Sequence, residues 1–272
     1  MSGPHDRSKA LTYSSYLRVD DLLELQHPLS GGDGEKAEHD EMLFIIIHQV
    51  YELWFKQINH ELVALQAALA RGESPGSLAL FKRILTILKI LVAQVDVLET
   101  MTPVSFASFR DRLASASGFQ SAQFRETEFL LGAKNRRAVQ HHPPESPGGR
   151  RLAELFDRPS LYDSFLRYLV QRGYAVPGEL LERDFSEPVP ESRRVQEILL
   201  EVYRKDHETE AVCERMVDLD EGLQEWRYRH VKMVERTIGS KVGTGGSAGA
   251  AYLRKTLFRP LFPDLWAIRD EL

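Results

Sequence analysis

The sequence predicts an all-α protein, a helical bundle with a small helical insertion near residues 135–190. Three observations predict it. Prolines are absent between Pro28 and Pro75, between Pro103 and Pro143, and between Pro190 and Pro260. An interior proline removes a backbone donor and clashes with the preceding turn, so these gaps are where long helices can run. Apolar residues within them recur in steps of three and four, the spacing of one helical face. No segment alternates with period two between turn signals, so no sheet is expected.

The elements follow in order. The stretch "HDEMLFIIIHQVYELWFKQINHELVALQAALARG" opens with acidic residues, which suit the positive end of a helix dipole, and stops at Arg71-Gly72. Residues 77–101, "SLALFKRILTILKILVAQVDVLETM", form a second long helix with a stripe of Leu80, Ile84, Ile87, Leu88, Leu91 and Val95. A third is expected to begin near Ser117 and run through "FQSAQFRETEFLLG". The segment "HHPPESPGG", 141–149, reads as a surface loop. Then "SLYDSFLRYLVQRG" forms a short helix capped by Asp157 or Ser160, and residues 191–239 supply one or two further long helices. There is no internal repeat.

Composition narrows the function. With 272 residues, 43% apolar and 28% charged, the chain is that of a soluble globular protein with one sizeable core. The net charge of −5 argues against a nucleic-acid partner. No apolar run approaches the roughly 20 residues that cross a bilayer, so no membrane is expected. The polar start "MSGPHDRSKA" lacks the apolar centre of a signal peptide. Cys213 stands alone, and a C-x-x-C-H motif is absent. These features exclude an internal disulfide, a four-cysteine zinc site and an iron–sulfur cluster built within one chain. A reducing cytoplasm is the expected location.

Two histidines break the pattern. Counting from His230 in helical steps gives Val212, Met216, Leu219, Leu223, Trp226, His230, Met233 and Thr237, six of them apolar. An imidazole inside such a stripe is either a core histidine with satisfied nitrogens or a ligand offered to a metal or cofactor. His48 sits on a face running Phe44, His48, Tyr51, Phe55. It too reads either as a packed histidine or as the one polar contact for a flat ligand. Arg110 follows Phe106 and Phe109 and precedes the small-residue turn "ASASG". It suits a carboxylate clamp beside a ring, or else a surface ion pair with Asp111 or Glu126. "GTGGSAG", 243–249, has glycine spacing loosely similar to a phosphate loop, but follows a helix and lacks the lysine–serine pair. It reads as a plain linker or a closing lid carrying a threonine.

Taken together, the segments "LTYSSYLRVDDLL", "HQVYELWFKQ", "VLETMTPVSFASFRDRLASASGFQSAQFRETEFLLG", "PSLYDSFLRYL", "WRYRHVKMVERTIGSKVGTGGSAGAAYLR" and "LFPDLWAIR" resemble the tryptophan 2,3-dioxygenase family, in the family's order and from about residue 11 to 268. The resemblance implies an all-α bundle around a haem pocket and a reaction in which both atoms of O2, the co-substrate, enter the indole C2–C3 bond of L-tryptophan or a substituted tryptophan, giving N-formylkynurenine. It implies haem b, bound non-covalently and ferrous in the active form. By resemblance His230 is the axial ligand of the haem iron, and Ser117 and Gly118 lie near the haem. His48 is the distal histidine near the indole N–H, and Phe44 and Phe106 line the indole pocket. Arg110 pairs with the substrate carboxylate, and Thr244 helps to hold the ammonium end. Tyr13, Tyr16 and Leu17 match a segment that reaches into a neighbouring subunit, which implies a homotetramer.

The sequence departs from the family at Ala248, where many relatives repeat serine, and at Val95, where relatives can carry a large aromatic. These leave open a homologue that monooxygenates a substituted tryptophan to an oxindole-type product. A haem-binding sensor is a further alternative, against which Arg110, His48 and Thr244 together argue.

Overall fold

The computed structural model describes residues 10–32, 34, 36–241, 243 and 250–272, and among them there are helices and turns but no strand. Two one-turn helices, α1 (Tyr13–Leu17) and α2 (Val19–Leu23), lead into α3 (His39–Ala70), α4 (Ser74–Leu98) and α5 (Pro103–Arg110). Then come α6 (Ala122–Leu131), α7 (Arg136–Gln140), α8 (Pro147–Phe156), α9 (Leu161–Gln171) and α10 (Gly178–Leu181). The chain closes with α11 (Arg193–Lys205), α12 (His207–Ile238), α13 (Ala250–Arg254) and α14 (Pro263–Ala267). α3 packs on α4, α6 and α9, and α4 packs on α12.

α3 and α12 lie within the first and third proline gaps and α4 runs between Pro75 and Pro103, but several ends differ from expectation. α4 starts at Ser74, because Pro75 in a first turn costs no hydrogen bond and has the right φ. The third helix starts at Ala122 instead of near Ser117. Ser117 caps a single 3-10 turn, Gly118–Gln120, and the Ser121 side chain then accepts from the Phe124 N–H to cap α6. Part of the expected loop at 141–149 is helix, since Ser146 caps α8 and Pro147 occupies its first turn. Residues 191–239 form two helices, separated at Asp206, whose carboxylate accepts from the Thr209 N–H.

The core joins α3, α4, α6, α8, α9, α11 and α12 in one apolar cluster that includes Leu62, Phe81, Phe165, Leu199 and Met216. The segment near 135–190 forms α7 to α10, and Leu161, Phe165 and Leu169 of α9 belong to that same cluster. α6 ends at Gly132, whose φ of 104° a side chain rarely adopts and whose Cα faces the Ser160 hydroxyl. Ser160 caps α9 in a reciprocal box with Asp163, and Arg183 donates to both Asp163 oxygens at 2.8 and 2.9 Å. A second, smaller cluster of Ile47, Leu98, Met101, Phe106 and Phe109 sits where α3, α4, α5 and the end of α12 meet.

α12 is held at mid-length by a buried carboxylate. Asp220 Oδ2 accepts from the backbone N–H of Leu261 (2.7 Å) and Phe262 (3.3 Å) and from the Trp266 indole N–H (3.0 Å). This fastens the C-terminal segment to the helix. Asp220→Ala removes the shared acceptor of three donors at a largely buried site, so a loss of about 3 kcal/mol is expected in denaturant titrations, with the global transition remaining cooperative.

Candidate functional site

The small apolar cluster forms one side of a cavity of about 260 Å³ between α3, α5, α6 and α12. Phe44, His48, Phe106, Arg110, Ser117, Gly118 and His230 all line it. Residues that the sequence scatters over three proline-free segments therefore share one wall-to-wall space. Tyr13, Tyr16 and Leu17 do not reach it; they lie on α1, 79, 73 and 49% exposed. Thr244 and Ala248 lie outside the described residues. Val95 lines the cavity and is buried.

His230 reaches the cavity because α12 turns its apolar stripe inward. Its ring stacks on Trp226 one turn earlier, 5.2 Å between centroids and 8° from parallel. Among the described residues neither ring nitrogen has a hydrogen-bond partner. Burial pushes its pKa down to about 4, and His48 and Arg125 push in the same direction. The imidazole is thus neutral at physiological pH, with a lone pair available in an apolar space.

His48 is arranged differently. Its Nδ1 lies 2.7 Å from the Phe44 carbonyl one turn back on α3. A carbonyl can only accept, so Nδ1 carries the proton and Nε2 is left as an acceptor. Burial lowers this pKa as well, opposed by the Phe44 hydrogen bond and by Glu52. The Phe44 ring lies 4.1 Å from the imidazole and 5.8 Å from Phe106, giving the cavity a continuous aromatic side.

Arg110 ends α5 and is half-buried at the cavity edge. Between it and Ser117 the chain turns through Ala114 at φ 48°, a left-handed conformation unusual for alanine. This bend brings Ser117 and Gly118 back onto the same cavity as Arg110. Sequence reasoning missed four charged wall residues: Glu52, Arg125, Glu128 and Arg227. Glu52 is one turn beyond His48, and Arg227 is three residues before His230. Helical spacing from the two histidines would have found both.

The fold and site define an all-α protein whose cavity presents a neutral imidazole, an aromatic side and a half-buried guanidinium. The family model described as tryptophan 2,3-dioxygenase matches residues 1–146 and 193–272. A tryptophan 2,3-dioxygenase of Anaeromyxobacter sp. (strain K) is 59% identical over 272 residues, covering the whole of both chains. That of Herpetosiphon aurantiacus is 58% identical over 265 residues, 97% of this chain and all of the relative. That of Kineococcus radiotolerans is 43% identical over 98% of this chain and 93% of the relative. The chain belongs to the tryptophan 2,3-dioxygenase family.

The buried histidines set a pH response in the protein without added cofactor. An unfolded histidine titrates near 6.5, whereas His230 holds off protonation until about 4. Between these values the unfolded state binds more protons, so stability rises with pH and falls as pH drops from 6.5 toward 4. The expected loss is on the order of 3 kcal/mol. Denaturant midpoints measured across that window should fall for the parent and fall less for His230→Gln.

Proposed function

We propose that this protein uses dioxygen and haem to open the indole ring of L-tryptophan between C2 and C3, forming N-formylkynurenine. The observation that carries this reading is the convergence of His230, His48 and Arg110 on a single cavity with aromatic walls. The relatives are named as dioxygenases, which leaves the one-oxygen alternative without support. The whole chain is taken as one domain, and its cysteine is buried and unpaired, in keeping with a reducing cytoplasm. No described helix is long and apolar enough to cross a membrane.

Haem fits the residues present. A porphyrin needs an apolar slot, an axial donor and a counter-charge for its carboxylates, and the cavity has apolar walls, an imidazole lacking a protein partner, and arginines. In this reading His230 would hold the iron of haem b, bound non-covalently and ferrous when active, with Ser117 and Gly118 beside it. The bound haem supplies an iron centre that activates dioxygen for insertion into an electron-rich double bond. Arg110 binds the tryptophan carboxylate with two parallel donors. Phe44 and Phe106 pack against the indole and exclude water. His48 Nε2 accepts the indole N–H, its orientation fixed by the Nδ1 bond to Phe44. Because it is neutral and only a hydrogen-bond acceptor, His48 orients the ring and is not required to take the proton. Thr244, on the glycine segment, is assigned to the ammonium end of the substrate by resemblance.

The assembly is taken as a homotetramer in which α1 of one copy completes a neighbour's site. In support, the side chains of Tyr13, Tyr16 and Leu17 are solvent-exposed and do not line their own cavity.

Turnover of tryptophan under doubly labelled dioxygen tests the reaction: product mass should rise by both labelled atoms, and a single atom would overturn it. His230→Ala should lose haem and the imidazole-ligated spectrum, and an unchanged spectrum would move the axial role elsewhere. Arg110→Lys replaces a fork by a point charge, so tryptophan use should weaken by about 2–5 kcal/mol with haem content intact. A carboxylate-free indole should be affected far less.

A further inference from the structure

The outer face of α4 carries a pattern that its own chain does not use. Thr86, Ile90, Ala93 and Val97, with Thr100 two residues past the helix end, follow at steps of four, three, four and three. All five are exposed, Ile90 at 37% and Val97 at 46%. That spacing averages 3.5 residues, the repeat of a seam that packs on another helix. The inner face of α4 is already apolar through Ile84, Leu88, Leu91 and Val95, all buried. A helix apolar on both sides is normally packed on both. On α3, which runs antiparallel beside α4, Ile46 and Leu53 are also exposed.

The seam is self-complementary. Outward from Ala93 it meets an aliphatic residue and then a threonine in either direction: Ile90 and Thr86 one way, Val97 and Thr100 the other. A contact about a twofold axis requires this, because each residue meets the one equally far beyond the axis. With the axis at Ala93, antiparallel copies of α4 set Ile90 beside the partner's Val97 and Thr86 beside the partner's Thr100. The small side chain at the centre permits close approach of the two helices.

The charges obey the same symmetry. Lys89 and Asp96 are seven residues apart on one flank of the seam, and their midpoint falls between Val92 and Ala93. An axis there places each Lys89 opposite the partner's Asp96, giving two reciprocal ion pairs. Lys89 is exposed and has no ion pair within its own chain among the described residues. Asp96 bonds Arg229 through one oxygen, yet its side chain remains 68% exposed.

We propose that this face of α4 docks a second copy of the chain, α4 against α4, antiparallel about a twofold axis at Ala93. The inference rests on the tetramer reading above. Reciprocal exchange of α1 closes a pair of copies, and a tetramer of twofold symmetry needs a second interface to join two pairs. The seam is about 21 Å long at 1.5 Å per residue. Alone it falls well short of the roughly 800 Å² per partner of a stable dimer, so it joins pairs that α1 has already formed.

Cysteine cross-linking and sedimentation of the full chain test this. The one native cysteine, Cys213, is buried, so disulfide formation under mild oxidation reads the introduced position. Ala93→Cys should link most chains into covalent dimers, since both copies of position 93 meet at the axis. Thr86→Cys alone should not, because its two copies stand about 21 Å apart, whereas Thr86→Cys combined with Thr100→Cys should. Ala93→Arg sets two cations against each other and should halve the sedimenting mass, from tetramer to dimer, with helix content unchanged by circular dichroism. A tetrameric parent in which Ala93→Cys does not cross-link and Ala93→Arg keeps the mass would overturn the surface alone, some other occupant then covering it. Equal cross-linking by Thr86→Cys and Ala93→Cys would do so too, as random collision. A dimeric parent that Ala93→Cys cross-links would overturn the tetramer alone, and a monomeric parent would overturn both.

Discussion

A neutral imidazole set into an apolar helical stripe is the constraint on which the site depends. His230 gains nothing from its neighbours on α12 beyond the stacking of Trp226, and no described residue bonds to its nitrogens. Leaving a polar group so placed costs free energy that an ordinary core does not tolerate. The opposite histidine meets the same environment by another route, turning Nδ1 onto the carbonyl of its own helix. One ring is satisfied and presents an acceptor, while the other is left for a ligand. That asymmetry within a shared apolar cavity separates the two proposed roles without any difference in residue type.

Electrostatics is graded across the cavity. On the α5 side Arg110 stands at a half-buried edge reached through the Ala114 bend. On the α6 side two arginines and one glutamate are sealed nearly completely. Cationic groups thus stand at two separate walls, with the aromatic side of Phe44 and Phe106 beside His48. The low-dielectric walls strengthen each charge contact and also hold the histidines unprotonated, so both effects arise from the same burial.

Much of this was legible in the sequence, for physical reasons. The long helices follow from proline exclusion and from stripes such as Ile84, Leu88, Leu91 and Val95, since burial of a single face needs that spacing. His230 was conspicuous because it interrupts such a stripe. Helix ends were read less well. Ser74-Pro75, Ser146-Pro147 and the paired caps Ser117 and Ser121 use prolines and serines to start helices, where pattern alone reads a boundary. The Arg125–Glu128–Arg227 cluster was not legible. A charge on a helix ordinarily faces water, and only the tertiary placement of α6 and α12 around one cavity turns these three inward.

The Asp220 clasp bears on angular precision. Asp220 precedes His230 by ten residues, about 15 Å along the helix axis, and each residue of slip would turn the helix by about 100°. The clasp fixes the phase of α12 at one point, and Arg229, the residue before His230, adds a second by bonding to Asp96 and Glu99 at 2.6 and 3.3 Å. With both points held, the helix behaves as a shaft locked against torsion, and the bearing of one imidazole is set in part by chain termini far from it. Residues 261–266 therefore belong to the alignment of the cavity as much as the side chains that line it do.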